Sequence, residues 1–245
     1  MKRGLFVASS LSALAACSPI GTKLNENGGF HKLLESGESV SQYVIGTRGR
    51  ARLYAAADIS PDFPVNSLDT PSDSAYAAMA RDAFRNYRLA VDGAVDHPQS
   101  FDLDRLQRLM NVTQITRHDC VEGWSAIAQW QGVRLRDLLA LARPRRSARY
   151  VVFHTFDRDA NGMPYYESLS IEQAGHPQTL LALRQNGAPI VPDRGAPVRL
   201  TIPTQLGYKS AKWVRRIEVV DSFARLYGGK GGYWEDQGYE WYAGI

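Results

Sequence analysis

The sequence predicts an α+β domain with mixed β-sheets and flanking helices. Short alternating runs that read as strands lie between helical patterns along most of the chain. Their order has no regular strand–helix–strand rhythm, which removes doubly wound sheets and α/β barrels. The composition is that of an ordinary globular chain: 245 residues, 44% hydrophobic and 22% charged. That supplies enough apolar surface for one sizeable core.

The first 17 residues stand apart from the domain. Lys2 and Arg3 precede the apolar run Leu5 to Ala16, which is too short to span a bilayer as a helix. This reads as an export signal at residues 1–17. Leu14-Ala15-Ala16-Cys17 resembles a bacterial lipobox, which implies lipidation of Cys17 and a periplasmic, membrane-anchored lipoprotein. An ordinary signal peptide with an incidental Cys17 is the other reading. Lys2-Arg3-Gly4-Leu5-Phe6 is also similar to a twin-arginine signal with lysine first. Ser18 to Gly29 is rich in Ser, Asn, Gly and Lys, so residues 18–42 read as a tether. The domain is expected over 43–245.

Within the domain, Tyr43 to Ala57 reads as strands, and Ser60 to Asp73, with Pro61, Pro64 and Pro71, as a loop. Ser74 to Tyr87 has a helical period, with Ala77, Ala80, Phe84 and Tyr87 on one face. Tyr87 to Gly93 alternates and stops at an Asp-Gly turn. Asp102 to Met110 is a short helix. Val112 to Cys120 is a strand running into a loop. Val133 to Ala142 is a helix with Leu135, Leu138, Leu139 and Ala142 inward. Tyr150 to Phe156 is a strand, and Ile171 to Gln185 a helix broken at Pro177. Ala196 to Ile202 and Trp213 to Val220 alternate as strands. The tail from Gly228 is glycine-rich and aromatic.

The net charge of +4 suits an anionic cofactor or substrate as well as nucleic acid. No basic tract is interleaved with aromatics in the way that grips a phosphate backbone, which argues against a nucleic-acid partner. There are two cysteines. With Cys17 acylated or removed, Cys120 stands alone in an oxidising compartment and forms no internal disulfide. It is then either an apolar core residue or an engaged thiolate.

Three constellations carry chemistry. In Thr116-Arg117-His118-Asp119-Cys120-Val121-Glu122-Gly123-Trp124, strand geometry puts His118 and Cys120 on one face and Asp119 on the other, so no local triad forms. His31, His97, His118, His154 and His176 lack metal-type spacing, which disfavours zinc. A single soft thiolate suits a metal whose other ligands come from a cofactor. The second constellation joins Gly195-Ala196-Pro197-Val198-Arg199 to Gly207-Tyr208-Lys209-Ser210-Ala211-Lys212-Trp213. It is either a clamp for a phosphate or a solvated basic face. The third is Gly231-Gly232-Tyr233-Trp234-Glu235-Asp236-Gln237-Gly238-Tyr239. Its aromatics either line a pocket or pin the C-terminus.

In this order the blocks resemble the sulfite-oxidase family of molybdenum enzymes. The resemblance covers Asp62 to Tyr242, with Tyr87 to Gly93, Cys120-Val121-Glu122-Gly123-Trp124, Asn186-Gly187-Ala188-Pro189, Gly195 to Arg199 and Gly207 to Trp213 as its successive motifs. It implies a sulfite-oxidase-type molybdopterin-binding fold and a pyranopterin whose dithiolene binds molybdenum. Cys120 would be the protein's metal ligand. Asn66, Thr155, Arg194, Arg199, Ser210, Ala211 and Lys212 match cofactor-contact positions. Tyr239 resembles the family's active-site tyrosine, and Trp124 is placed to wall the pocket.

The resemblance further implies two-electron oxygen-atom transfer on a small S- or N-oxide. Sulfite oxidases carry an arginine-bearing run after the cysteine. Here Glu122 adds negative charge, which disfavours a sulfite dianion. The chain is more similar to bacterial periplasmic members of the methionine-sulfoxide-reductase type. It departs from them in lacking their longer C-terminal region, and it has Arg194 where relatives carry Asn or His. With no haem domain and no second cysteine to serve as an internal electron relay, a separate haem or cytochrome-type electron-transfer protein is expected as partner. Two other classes remain open on the residues alone: a hydrolase or acyltransferase with Cys120 as nucleophile, and a non-catalytic binding lipoprotein.

Overall fold

The computed structural model describes residues 49–65 and 70–245. The export signal, Cys17, the tether and Asn66 lie outside the described residues.

Ten strands and five α-helices follow one another in the described chain. The first are α1 (Ser74–Arg81), β1 (Arg88–Gly93), β2 (Gln99–Asp102), α2 (Leu103–Leu109), β3 (Val112–Asp119), β4 (Ser125–Arg134) and α3 (Leu135–Ala142). Next come β5 (Tyr150–Arg158), β6 (Pro164–Ser170), α4 (Ile171–Ala174), β7 (Leu180–Gln185) and β8 (Ala188–Pro189). The last are β9 (Arg199–Thr201), β10 (Val214–Val220) and α5 (Tyr233–Asp236). The first sheet has the order β2-β1-β10-β5-β6, and only its β1–β10 pair is parallel. The second has the order β3-β4-β7-β8, with β9 also on β7. This is the mixed-sheet α+β architecture that the sequence predicts.

Alternation explains how the strands bury one face. In β1, Leu89 and Val91 are buried between more exposed neighbours. Beside it, the Tyr87 hydroxyl donates to the Val214 carbonyl at 2.6 Å. Helix α3 buries Leu135, Leu138, Leu139 and Ala142, as its 3.6-residue period requires. Each such leucine contributes roughly 1.5–3 kcal/mol of burial.

Several elements differ from the sequence reading. The helix expected over Ile171 to Gln185 is one turn, α4, followed by strand β7. Strand β7 pairs with β4 on one edge and with β8 and β9 on the other, and Leu180, Leu181, Ala182 and Leu183 are all buried, so both of its faces are covered. A strand covered on both faces has no alternation to read. The helix expected to Tyr87 stops at Arg81, and Ala83 and Phe84 turn out of it with φ of 49° and 58°. Asp73 caps it, accepting from the Ala75 and Tyr76 amides. Val133 and Arg134 finish β4 rather than begin a helix. Strands β2, β4 and β6 carry no counterpart in the sequence reading. Residues 49–58 contain a 3₁₀ turn, Ala56–Asp58, and no strand.

Candidate active site

Two close approaches bring the constellations together. After β3 the chain makes a tight turn in which the Cys120 amide donates to Trp124 O at 2.9 Å and the Gly123 amide to Cys120 O at 3.0 Å. Gly123 sits at φ +92°, a conformation that disfavours side chains. The 3₁₀ turn Gly207–Lys209 packs against the end of β3. A Cβ on Gly207 would lie 2.5 Å from His118 Nε2. Glycine there lets the basic block approach the cysteine.

Between them lies a cavity of about 350 Å³, within the usual range for a small-molecule site. Its wall includes Cys120, Glu122, Asp157, Tyr165, Arg199, Tyr208, Ser210, Lys212, Trp234 and Tyr239. Five of the residues expected at the site therefore meet on one surface: Cys120, Arg199, Ser210, Lys212 and Tyr239. Three others stand behind the wall. Thr155 donates from Oγ1 to Tyr165 O at 2.6 Å. Arg194 donates to Phe63 O and accepts at its carbonyl from Arg199 Nη1 at 3.1 Å. Ala211 is buried, and its carbonyl accepts from the Leu200 amide at 2.8 Å. Asn66 lies outside the described residues.

The electrostatics of the wall favour an anion. Arg199 is 2% exposed, and its Nε has no hydrogen-bond partner. Burial, with the charge of Arg194, lowers its pKa to about 10, so it stays cationic at neutral pH. A buried cation left short of acceptors is costly unless a ligand completes it. Lys212 is also buried, with its ammonium 4.1 Å from the Trp213 ring centroid. Gly195, at φ +105°, lets the chain before β9 pass Lys212, since a Cβ there would meet Lys212 Cβ at 3.0 Å.

Asp157 is a wall residue that the sequence reading missed. It is 3% exposed, and its Oδ1 has no hydrogen-bond partner. Burial pushes its pKa up to about 6, against the opposing effects of Thr155 and Lys212. The available signal was the alternation Thr155-Phe156-Asp157, which puts an acid on the same face as an expected contact. Tyr165 and Tyr208 were missed as wall residues too, while Trp234 follows the pocket-lining alternative for the aromatic tail. Tyr165 hydroxyl donates to Tyr208 O at 2.7 Å, and Tyr208 hydroxyl to Glu240 O at 2.7 Å.

Trp124 is not on the wall. Its ring packs 5.9 Å from Phe63 and 5.6 Å from His118, and its Nε1–H donates to Glu122 at 3.1 Å. Glu122 itself is exposed and lines the cavity. Tyr239 is 40% exposed at the same cavity, stacked on Trp234 at 5.2 Å and edge-on to Tyr208 at 5.3 Å. His118 is buried beside Arg199, and burial with that charge lowers its pKa to about 3. Its Nε2 has no partner. A neutral imidazole of such low basicity is a poor base for a cysteine nucleophile. Among the described residues no three His, Cys, Asp or Glu side chains cluster as metal ligands.

Residues 76–227 match the family described as the oxidoreductase molybdopterin binding domain. The chain belongs to this family. The molybdopterin-binding domain holds most of the wall, from Cys120 to Lys212. Trp234 and Tyr239 follow it.

Among relatives, a chain of Azospira oryzae provisionally named a protein-methionine-sulfoxide reductase subunit, YedZ1, is 38% identical over 205 residues, 84% of this chain and 72% of that one. The protein-methionine-sulfoxide reductase catalytic subunit MsrP of Campylobacter jejuni is 32% identical over 63% of this chain and 56% of its own length. MsrP of Ralstonia nicotianae is 37% identical over 55% of this chain and 44% of its own length. The chain thus spans about half of each of these two relatives.

A chain of the sulfane dehydrogenase SoxCD crystal structure from Paracoccus pantotrophus superposes with a TM-score of 0.50 at 25% identity, covering 56% of this chain and 39% of that one. The fold is the sulfite-oxidase-type molybdopterin-binding fold, and the chain is a molybdopterin-dependent oxidoreductase. The donor set fits that cofactor. The single buried cysteine offers the metal one thiolate, the unpartnered Arg199 Nε suits a phosphate, and the unpartnered Asp157 oxygen suits a pterin N–H.

Proposed function

We propose that the chain reduces a small neutral S-oxide, of the methionine-sulfoxide class, by two-electron oxygen-atom transfer. One observation carries this reading. Cys120, 7% exposed, faces the same cavity as Lys212 and as Arg199, whose guanidinium Nε has no partner. When bound, the molybdenum cofactor supplies the two-electron change at a metal that Cys120 ligates as thiolate.

The chain's own residues do the rest. Arg199 and Lys212 neutralise the cofactor phosphate, and Ser210 offers a hydroxyl beside them. Asp157, with Thr155 behind it, accepts an N–H of the pterin. Arg194 holds the Phe63 loop against Arg199. Tyr239, at the open side, donates its hydroxyl to the substrate oxygen, and Trp234 and Tyr208 fix its ring. Glu122 at the mouth repels a dianion such as sulfite more than a neutral sulfoxide. The names of the three relatives support an S-oxide substrate.

Electrons come from a separate haem or cytochrome-type protein in this reading. The lipobox-like Leu14-Ala15-Ala16-Cys17 supports a periplasmic location with a lipid anchor. No helix among the described residues is long and apolar enough to cross a membrane.

The test is metal and pterin analysis of protein made in a cofactor-competent host, with a dye-coupled screen of sulfoxides, N-oxides and sulfite. Wild type should hold about one molybdenum per chain and turn over sulfoxides. Cys120→Ser should lose at least about a thousandfold in turnover, the scale set by removing a group that touches the reacting atoms. Wild type without molybdenum or pterin sinks the proposal.

A further inference from the structure

The basic block holds a third buried cation beside Arg199 and Lys212, and it does not face the cavity. Lys209 ends the 3₁₀ turn Gly207–Lys209 with a side chain 0% exposed. Its ammonium donates to Glu167 Oε1 and to Glu235 Oε1, each at 2.5 Å. Glu167 is 0% and Glu235 1% exposed. Three ionisable side chains from three separate segments therefore meet out of water: β6, the 207–209 turn and α5.

The packing leaves little room for alternatives. A Cβ on Gly232 would lie 1.9 Å from Glu235 Oε2 and 2.8 Å from Glu167 Oε1. Glycine there lets the tail close over the cluster. The Ser168 amide donates to Glu167 Oε1 at 2.8 Å, which fixes that carboxyl. Burial drives the Glu167 carboxyl well above the usual carboxylate range, with Lys209 opposing and Glu235 adding to it. Two carboxyls thus share one ammonium without a net negative charge being forced into the core.

Each corner of this cluster adjoins a wall of the cavity. Tyr165 stands two residues before Glu167 on β6, and Tyr208 and Ser210 flank Lys209. Trp234 precedes Glu235 and carries Tyr239 stacked on its ring. A buried ion cluster contributes little net stability compared with an apolar core of the same shape. Its directional bonds do fix which segments meet, and at what distance.

We propose that Lys209, Glu167 and Glu235 form a buried ionic clamp in which Lys209 is a positioning residue, holding α5 so that Trp234 and Tyr239 close the cavity opposite Cys120. Lys209 is thereby assigned to the tail and not to the cofactor phosphate. The inference rests on the cavity being the cofactor site proposed above. It adds three residues that touch neither cofactor nor substrate.

The tail has other ties, both within α5 and beyond it. Tyr233 hydroxyl donates to Asp159 Oδ2 at 3.0 Å, and Asp236 Oδ2 accepts from Tyr166 hydroxyl at 2.7 Å. Trp241 Nε1 donates to Ser168 at 2.8 Å, and the Leu206 amide to Ala243 O at 2.8 Å. Removing the Glu235 carboxyl therefore takes away the buried tie of α5 to Lys209 and leaves the Tyr233 and Asp236 hydrogen bonds and the attached end. Hydrogen–deuterium exchange of the full-length protein reads this directly, at the amides of Asp236 to Tyr239, which bond back to Gly232, Trp234 and Glu235.

In Glu235→Ala, Lys209 and Glu167 remain a balanced pair and the body stays folded. Exchange over residues 236–239 should rise at least about tenfold, with β-sheet peptides unchanged. Lys209→Met should do the same or worse, and Lys209→Arg, which keeps the cation, should stay within about threefold of wild type. Turnover per bound molybdenum should fall in Glu235→Ala while molybdenum content holds. A folded Glu235→Ala whose tail exchanges at the wild-type rate overturns the clamp. A loosened tail with wild-type turnover per molybdenum overturns the positioning role. The exchange experiment needs no substrate, so failure of the S-oxide assignment would not change what it measures.

Discussion

Arg199 and Lys209 come from the same basic stretch of sequence, and both are buried cations. Their surroundings are opposite. Lys209 has two carboxyl partners at 2.5 Å. Arg199 reaches one carbonyl at 3.1 Å, stands 5.1 Å from the Trp130 ring centroid and leaves Nε without a partner. The protein satisfies the Lys209 cation internally, with Glu167 Oε2 and Glu235 Oε2 the unpartnered atoms of that cluster, and leaves the Arg199 cation itself short. A cation satisfied inside the fold serves the fold, and a cation left short beside a cavity awaits a ligand. Counting positive charges in the block does not separate the two. Counting their partners does.

Neutralising each cation in turn sharpens this contrast most. In apo protein from a cofactor-deficient host, Lys209→Met strands two carboxyls and should cost on the order of 3–5 kcal/mol. That corresponds to a Tm lower by roughly 10 °C, read by calorimetry. Arg199→Met in the same apo protein should leave Tm unchanged or raised, since it removes an under-partnered buried charge. Its loss should appear in the holoprotein, as cofactor retention at least about tenfold weaker after dialysis. Equal Tm losses for the two apo variants would erase the distinction.

Asp157 offers a smaller test on the anionic side of the same wall. Its folded pKa of about 6 lies above its ordinary value of 3.8. The stability tied to its protonated form is complete below about pH 4 and disappears as pH rises through about 6. Asp157→Asn should therefore gain on wild type across that window in apo protein. The gain should level off above it, at no more than about 3 kcal/mol for a two-unit shift. A Tm difference that stays flat from pH 4 to 7 contradicts an uncompensated buried carboxyl. The smallest expected effect belongs to Glu122→Gln. It should lower the apparent KM for sulfite by no more than about fivefold, the scale of one solvated charge a few Å away, and leave a neutral sulfoxide unmoved.

The same contrast shows what the chain made legible. The motif around Cys120 and the order of the basic blocks were enough to group Cys120, Arg199, Ser210 and Lys212 at one site. The strands β1, β3, β5 and β10 followed from alternation, and α3 from its helical period. Strand β7 did not, because a both-faces-buried run such as Leu180 to Leu183 has the same apolar signature as a buried helix. Asp157 was overlooked although its alternation with Thr155 was visible. Trp124 was misplaced because a turn residue has no period that fixes its direction, and here the ring packs onto Phe63 and His118 instead.

By itself the sequence determined the fold class, the family and the sulfur that faces the cavity. These rest on local patterns: periodicity, turn residues and the spacing of short motifs. The tertiary structure alone decided which cation meets a ligand and which is tied off. It also decided that the aromatic tail both lines the cavity and anchors the C-terminus. Both outcomes depend on the desolvation and partners of each charge. Those are set by contacts such as Lys209 with Glu167, 42 residues apart, and with Glu235, 26 residues apart, which no window along the chain contains.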